Sequence, residues 1–101
     1  VEKALCSSDG NEFEIEADLV ILAIGFVHPE HDLLLHELGV EFDKKGNVKT
    51  GADYMTSRGG VFSAGDMRRG QSLIVWAISE GRRSAYNIDT YLTGKSSLPK
   101  L

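Results

Sequence analysis

Residues 18–25, Asp18-Leu19-Val20-Ile21-Leu22-Ala23-Ile24-Gly25, carry no polar side chain between Leu19 and Ile24. A strand with one wet face alternates apolar and polar residues. A β-branched and aliphatic run without alternation, closed by glycine, reads as a strand buried on both faces. Such strands belong to parallel sheets with helices on each side, which restricts the fold class to α/β. A chain of 101 residues can barely supply that cover. At this size only somewhat more than ~60% of the unfolded surface is buried. Exposed apolar patches are therefore expected, and with them self-association or cover from a further domain.

A second buried run, Gly60-Val61-Phe62-Ser63-Ala64-Gly65-Asp66, ends in Gly-Asp. Residues 19–24 and 61–64 are expected to lie adjacent and parallel in one sheet. A helix from about Gln71 to Leu92 would pack on them through Ile74, Ile78, Gly81, Ala85, Ile88 and Leu92, spaced 4, 3, 4, 3 and 4 apart. Small Gly81 and Ala85 on that face suit close approach to the sheet. Trp76 lies off it, placed to pack on a partner or neighbouring domain as readily as near a ligand. Gly94 stops the helix, and residues 95–101 read as a frayed tail.

The remaining elements are short. Residues 1–17 read as a β-hairpin about the turn Ser7-Ser8-Asp9-Gly10-Asn11, with Phe13 and Ile15 on a buried face between acids. Cys6 reads as a small buried hydrophobe. Residues 29–38 read as a helix from Pro29 to a stop at Gly39, and residues 40–42 and 47–49 flank a second hairpin turn at 43–46. Residues 50–60 are loop-like.

Several function classes drop out. The run from Leu19 to Val27 is half of the ~20 residues a bilayer span needs, and Val1-Glu2-Lys3 is no secretory leader. One cysteine permits neither an internal disulfide nor a cysteine-only metal or iron–sulfur site, and it suits a reducing cytoplasm. His28, His31 and His36 lack metal-ligand spacing and read as ordinary exposed side chains. No Gly-x-Ser-x-Gly elbow or Walker lysine loop occurs, so no catalytic residue is assigned. The net charge of −4 is too mild for a nucleic-acid partner. Its distribution is uneven. Residues 1–50 hold four lysines against eleven acids, or −7, and residues 51–101 hold seven cations against four acids, or +3. An anionic ligand is favoured by the second half.

Chemistry therefore concentrates at two strand ends, Leu22-Ala23-Ile24-Gly25 and Ala64-Gly65-Asp66. In open α/β sheets, ligands bind beyond the carboxyl ends of the strands. Gly65 would admit a ligand close to the backbone, and Asp66 could accept hydrogen bonds from sugar-like hydroxyls. The helix start near Gln71 would offer free N–H groups to an anion, with Arg68 and Arg69 adding charge. On pattern alone, residues 66–70 fit a plain strand-to-helix turn equally well, with Asp66 an early N-cap and the arginines solvated.

Residues 19–25 resemble the second dinucleotide-domain motif of flavin disulfide-reductase-like enzymes, and residues 60–66 resemble their flavin-contacting Gly-Asp motif. The continuation Met67-Arg68-Arg69-Gly70-Gln71-Ser72-Leu73-Ile74-Val75-Trp76-Ala77-Ile78-Ser79-Glu80-Gly81-Arg82 resembles the small (beta) subunits of NADPH-dependent glutamate synthases near their C-terminus. The resemblance covers essentially the whole chain. It implies a partial Rossmann-like fold of a flavoprotein with two dinucleotide-binding domains. Residues 1–17 would be the last hairpin of the NADPH-binding domain and residues 18–101 the C-terminal part of the FAD-binding domain.

In that family, hydride passes from NADPH to FAD. Electrons then move through iron–sulfur clusters to the large subunit, which makes glutamate from glutamine and 2-oxoglutarate. By resemblance Asp66, after Gly65, would hold the FAD ribityl chain. The amides of Gln71, Ser72 and Leu73 would face the pyrimidine end of the isoalloxazine, and Ile24 and Gly25 would contact FAD where the chain crosses between domains. No Gly-x-Gly-x-x-Gly occurs, and the cysteine-rich cluster-binding region is absent. NADPH and the clusters would bind outside this stretch. The expectation is a C-terminal piece that needs the remainder of the small subunit and is inactive alone. Other pyridine-nucleotide flavin oxidoreductases, such as dihydropyrimidine dehydrogenase-like or ferredoxin-reductase-like modules, share these motifs. A non-enzymatic interaction module is the alternative of another class.

Overall fold

Turn chemistry sets the first element. A computed structural model describes the backbone of residues 2–101 and the side chains of residue 5 and residues 9–101. Strands β1 (Glu2–Ser8) and β2 (Asn11–Ala17) pair antiparallel from Glu2↔Ala17 to Ser8↔Asn11. The two-residue loop between them puts both Asp9 and Gly10 at positive φ, 51° and 80°. That is the Asp-Gly signature of a type I′ turn, whose twist matches the strands. The expected buried face is not formed. Phe13 and Ile15 are 47% and 49% exposed, because the two strands pair only with each other and no further element covers them among the described residues. Val1 and the Cys6 side chain lie outside the described residues.

Residues 18–32 differ most from expectation. They form no strand, and Leu22 and Ile24 are 80% and 90% exposed. Residues 61–64 likewise join no parallel sheet, Phe62 making one isolated antiparallel bridge to Met55. The physical reason is the missing partner. A central strand needs a hydrogen-bonded neighbour on each side and a helix on each face. The described residues offer neither to residues 19–24. The radius of gyration of 19.6 Å exceeds the ~13 Å of a compact domain this long, as the exposed run and its hairpin require.

The packed part begins at residue 28. Helix α1 (Leu33–Leu38) starts later than Pro29, with Asp32 as its N-cap residue, and ends at Gly39 with φ 63°. Ring stacking explains the delay. His28 stacks on His31 at 4.3 Å and His31 on Phe42 at 3.9 Å, while His31 Nε2 hydrogen-bonds the Gly46 carbonyl at 2.6 Å. These contacts hold residues 28–31 across the second hairpin rather than in a helical turn, and they leave His31 half-buried rather than exposed. Leu35, Val40 and Val48 form the core, with Leu38, Phe42 and Val61 against it.

Helix α2 (Asp66–Arg69) is tied to that core by the Val48 N–H, which donates to the Met67 carbonyl at 2.9 Å. Helix α3 (Ile74–Thr93) closes on Gly94 at φ 83°. It turns inward a face roughly a quarter-turn round the helix from the one its apolar spacing predicts. Glu80 and Ser84 are buried, whereas Ile74 and Ile78 are 77% and 58% exposed and a Cβ on Gly81 would meet open space. Hydrogen bonds and ion pairs to Glu80 decide the inward face, and the described residues provide no sheet for the stripe. Nor is the tail free, since Ser96 Oγ donates to Asp89 Oδ2 at 2.6 Å.

Candidate functional site

Residues 65–73 build the candidate site as a tight turn between the residue 61–64 segment and α3. Gly65 sits at φ 67° and ψ −144°, a conformation that a side chain disfavours, and its carbonyl accepts the N–H groups of Arg68 and Arg69 at 3.1 and 2.7 Å. These bonds make α2 a single turn that delivers Asp66 to the rim of a cavity. The cavity has a volume of about 310 Å³ and is lined by Phe26, His28, Pro29, Glu30, Asp66, Met67, Gly70 and Gln71.

Of the expected cofactor residues, Asp66 and Gln71 line this cavity directly. Gly25 is brought beside them. The Phe26 N–H donates to Gln71 Oε1 at 2.6 Å, and a Cβ on Gly25 would lie 2.6 Å from that oxygen. Gly65 is buried just behind Asp66. The Ser72 hydroxyl is buried with no hydrogen-bond partner, and Leu73 is the exposed N-cap residue of α3. Ile24 is 90% exposed and does not line this cavity.

Gly65, not Asp66, is the N-cap of α2, Asp66 is its first residue, and the Asp66 carboxylate makes no hydrogen bond among the described residues. The N-cap alternative for Asp66 is therefore not what the turn uses. The α3 start is also bare. No side chain caps it and no acid lies in its first turn, so its positive dipole end faces outward unneutralised. Arg68 and Arg69 are not solvated free cations. Both donate to the buried carboxylate of Glu80, at 2.8 and 3.3 Å, and Arg69 also lies over the Trp76 ring at 4.2 Å. Glu80, Phe26, Met67 and Gly70 were missed as site residues. An isolated acid in mid-helix carries no local signal that it will meet a turn fifteen residues away.

An acceptor carboxylate without a partner among the described residues, an orphaned buried hydroxyl and a bare helix start suit a ligand rich in hydroxyls and carrying negative charge. The volume is at the small end for ligand pockets, ~300–1,000 Å³, and fits part of a nucleotide cofactor. Among the described residues no group of three or more His, Cys, Asp or Glu is placed to hold a metal, and no helix is long and apolar enough to cross a membrane.

The sequence pattern of the pyridine nucleotide-disulphide oxidoreductase family matches residues 2–81. The chain belongs to this family. Its members are Rossmann-like oxidoreductases that use flavin and NAD(P)H. The glutamate synthase [NADPH] small chain of Mycobacterium tuberculosis is 62% identical over 91 residues, 90% of this chain and 19% of that protein. The corresponding small chain of Bacillus subtilis is 50% identical over 90 residues, 89% of this chain and 18% of that protein. The glutamate synthase [NADH] of Schizosaccharomyces pombe is 49% identical over 84 residues, 82% of this chain and 4% of that protein. The chain thus spans about a fifth of the length of the small chains it matches. The flavin that this family uses fits the residues present, because Asp66, Ser72 and the α3 start offer what a ribityl chain and an anionic ring require.

Proposed function

We propose that this chain is the flavin-contacting C-terminal stretch of a glutamate synthase small subunit. Residues 18–101 complete the FAD-binding domain, and residues 1–17 are the last hairpin of the NADPH-binding domain. The observation that carries this reading is Asp66, a carboxylate with no partner among the described residues, lining the cavity it shares with Gln71. FAD, when bound, supplies a carrier that takes electrons from NADPH and passes them on. Asp66 accepts hydrogen bonds from the ribityl hydroxyls. The amides of Gln71, Ser72 and Leu73 face the pyrimidine end of the ring, and Ile24 and Gly25 approach the cofactor beside Gln71. NADPH and iron–sulfur clusters bind elsewhere in the small subunit. The large subunit receives the electrons for glutamate synthesis from glutamine and 2-oxoglutarate, in the cytoplasm.

The same reading accounts for the exposed apolar surface. Residues 19–24 become a central strand parallel to residues 61–64 when the rest of the flavin domain supplies neighbours, and the outward stripe of α3 packs on that sheet. Without that cover the stretch self-associates.

The test is Asp66→Ala in the full-length subunit. A hydrogen bond to a charged group contributes ~1.5–3 kcal/mol, so FAD affinity should fall about ten- to hundred-fold. Thermal stability of the flavin-free protein should barely change, because the Asp66 carboxylate makes no hydrogen bond among the described residues and the bond its backbone carbonyl accepts from the Gly70 N–H survives the substitution. Unchanged FAD affinity together with a lowered melting temperature would remove Asp66 from the site.

A further inference from the structure

We propose that Glu80 is a positioning residue for this site, one buried carboxylate that fixes both ends of the turn presenting Asp66. This rests on the flavin reading above. Glu80 is 3% exposed on α3. Its Oε2 accepts the Gly65 N–H at 2.9 Å, immediately before the turn, and its Oε1 accepts Arg68 Nη1 at 2.8 Å and Arg69 Nη1 at 3.3 Å, at the end of the turn. The clamp is braced from outside. Arg68 Nε donates to Thr50 Oγ1 at 2.7 Å, and the Arg68 guanidinium lies 4.7 Å from the centre of the buried Tyr54 ring.

Three physical points give this arrangement a task. A four-residue helix has no stability of its own, since nucleation costs more than one turn returns. Something outside α2 must hold it, and Glu80 is the side chain that bonds it at both ends. Burying a carboxylate is costly and a buried ion pair is weak support for stability, so what two arginines and one amide provide is geometry. The geometry fixed is that of Asp66 and Gly70, which line the cavity, while the charged side chains of Arg68 and Arg69 are drawn away from it. Glu80 touches no part of the cavity itself and acts through the turn.

The experiment is a double-mutant cycle in the full-length flavoprotein with Glu80→Gln, Asp66→Ala and both together. FAD dissociation constants are read by flavin fluorescence, and melting temperatures of the flavin-free forms are recorded alongside. Gln keeps the size of the side chain but loses the charge that holds both arginines. Glu80→Gln should weaken FAD binding about ten-fold when Asp66 is present, and less than about two-fold when Asp66 is already Ala, because a positioned group must exist to be misplaced. Equal weakening in both backgrounds would assign Glu80 to stability alone and overturn the proposal, as would unchanged affinity in Glu80→Gln while Asp66→Ala weakens binding. If Asp66→Ala itself leaves FAD affinity unchanged, the flavin reading of Asp66 fails and the proposal with it. Should Glu80→Gln not fold, Arg68→Gln loosens one end of the same turn while Arg69 still neutralises Glu80. It should weaken FAD binding several-fold in an Asp66-dependent manner, and Asp66-independent or absent weakening would overturn the proposal.

Discussion

Replacing Gly65 with alanine separates backbone strain from crowding at the heart of the site. A Cβ added there would lie 3.6 Å from Ala77 Cβ and 3.7 Å from Ala77 Cα, ordinary van der Waals contact, so nothing clashes. The backbone is the obstacle. At φ 67° and ψ −144° an L side chain is strained by ~1–3 kcal/mol, whatever the space around it. Alanine also reduces the freedom of the unfolded chain, which returns ~0.4–1 kcal/mol. The net loss should be about 1–2 kcal/mol. With a urea slope near 1–2 kcal/mol per molar, the unfolding midpoint followed by the circular dichroism of α3 should fall by about 1 M at unchanged slope. Asparagine, which relieves an ordinary left-handed position, should do no better here because ψ lies outside that basin. A midpoint unchanged by Gly65→Ala would refute the reasoning, since it would mean that the turn relaxes to another conformation without cost.

Two further outcomes are expected. Gly81→Ala should stabilise the 101-residue chain by ~0.5–1 kcal/mol in urea unfolding, because Gly81 is inside α3 and its added methyl meets open space. The gain should vanish in the full-length protein, where the proposed sheet covers that face, and an equal gain at both lengths would refute the cover. Asp43 accepts the backbone N–H groups of Asn47 at 3.0 Å and Lys45 at 2.8 Å. These bonds, that of Asn47 foremost, favour the ionised carboxyl and lower its pKa. The stabilisation is complete above the unfolded value of about 4 and is lost as pH falls through the lower folded value. The protection factor of the Asn47 amide, its exchange rate relative to the intrinsic rate at each pH, should therefore fall only below about pH 4, and loss of protection at higher pH would contradict the assignment.

Gly10, Gly39, Gly46 and Gly94 stand where the residue pattern puts turns and helix stops, and all four adopt positive φ. The long C-terminal helix is legible from its periodicity, and the break at Gly65-Asp66 is legible because a glycine-acid pair closes an apolar run. Each of these depends on a residue's own sterics and its near neighbours, so a linear reading suffices. Partner choice is another matter. The apolar stripe of α3 identifies a helix face but not what covers it, and here Glu80 turns another face inward by meeting Gly65, Arg68 and Arg69. Residues 19–24 state a preference for double burial that only neighbouring strands can satisfy, and among the described residues none stands beside them. Helix α1 starts at Leu33 rather than Pro29 because His28 stacks on His31 and His31 on Phe42, eleven residues further along the chain. The sequence by itself thus determined where the chain turns, where its long helix runs and which carboxylate follows the second apolar run. Tertiary structure alone decided which faces are covered and what holds that carboxylate in place, because burial and ion pairing are made between residues that sequence spacing does not bring together.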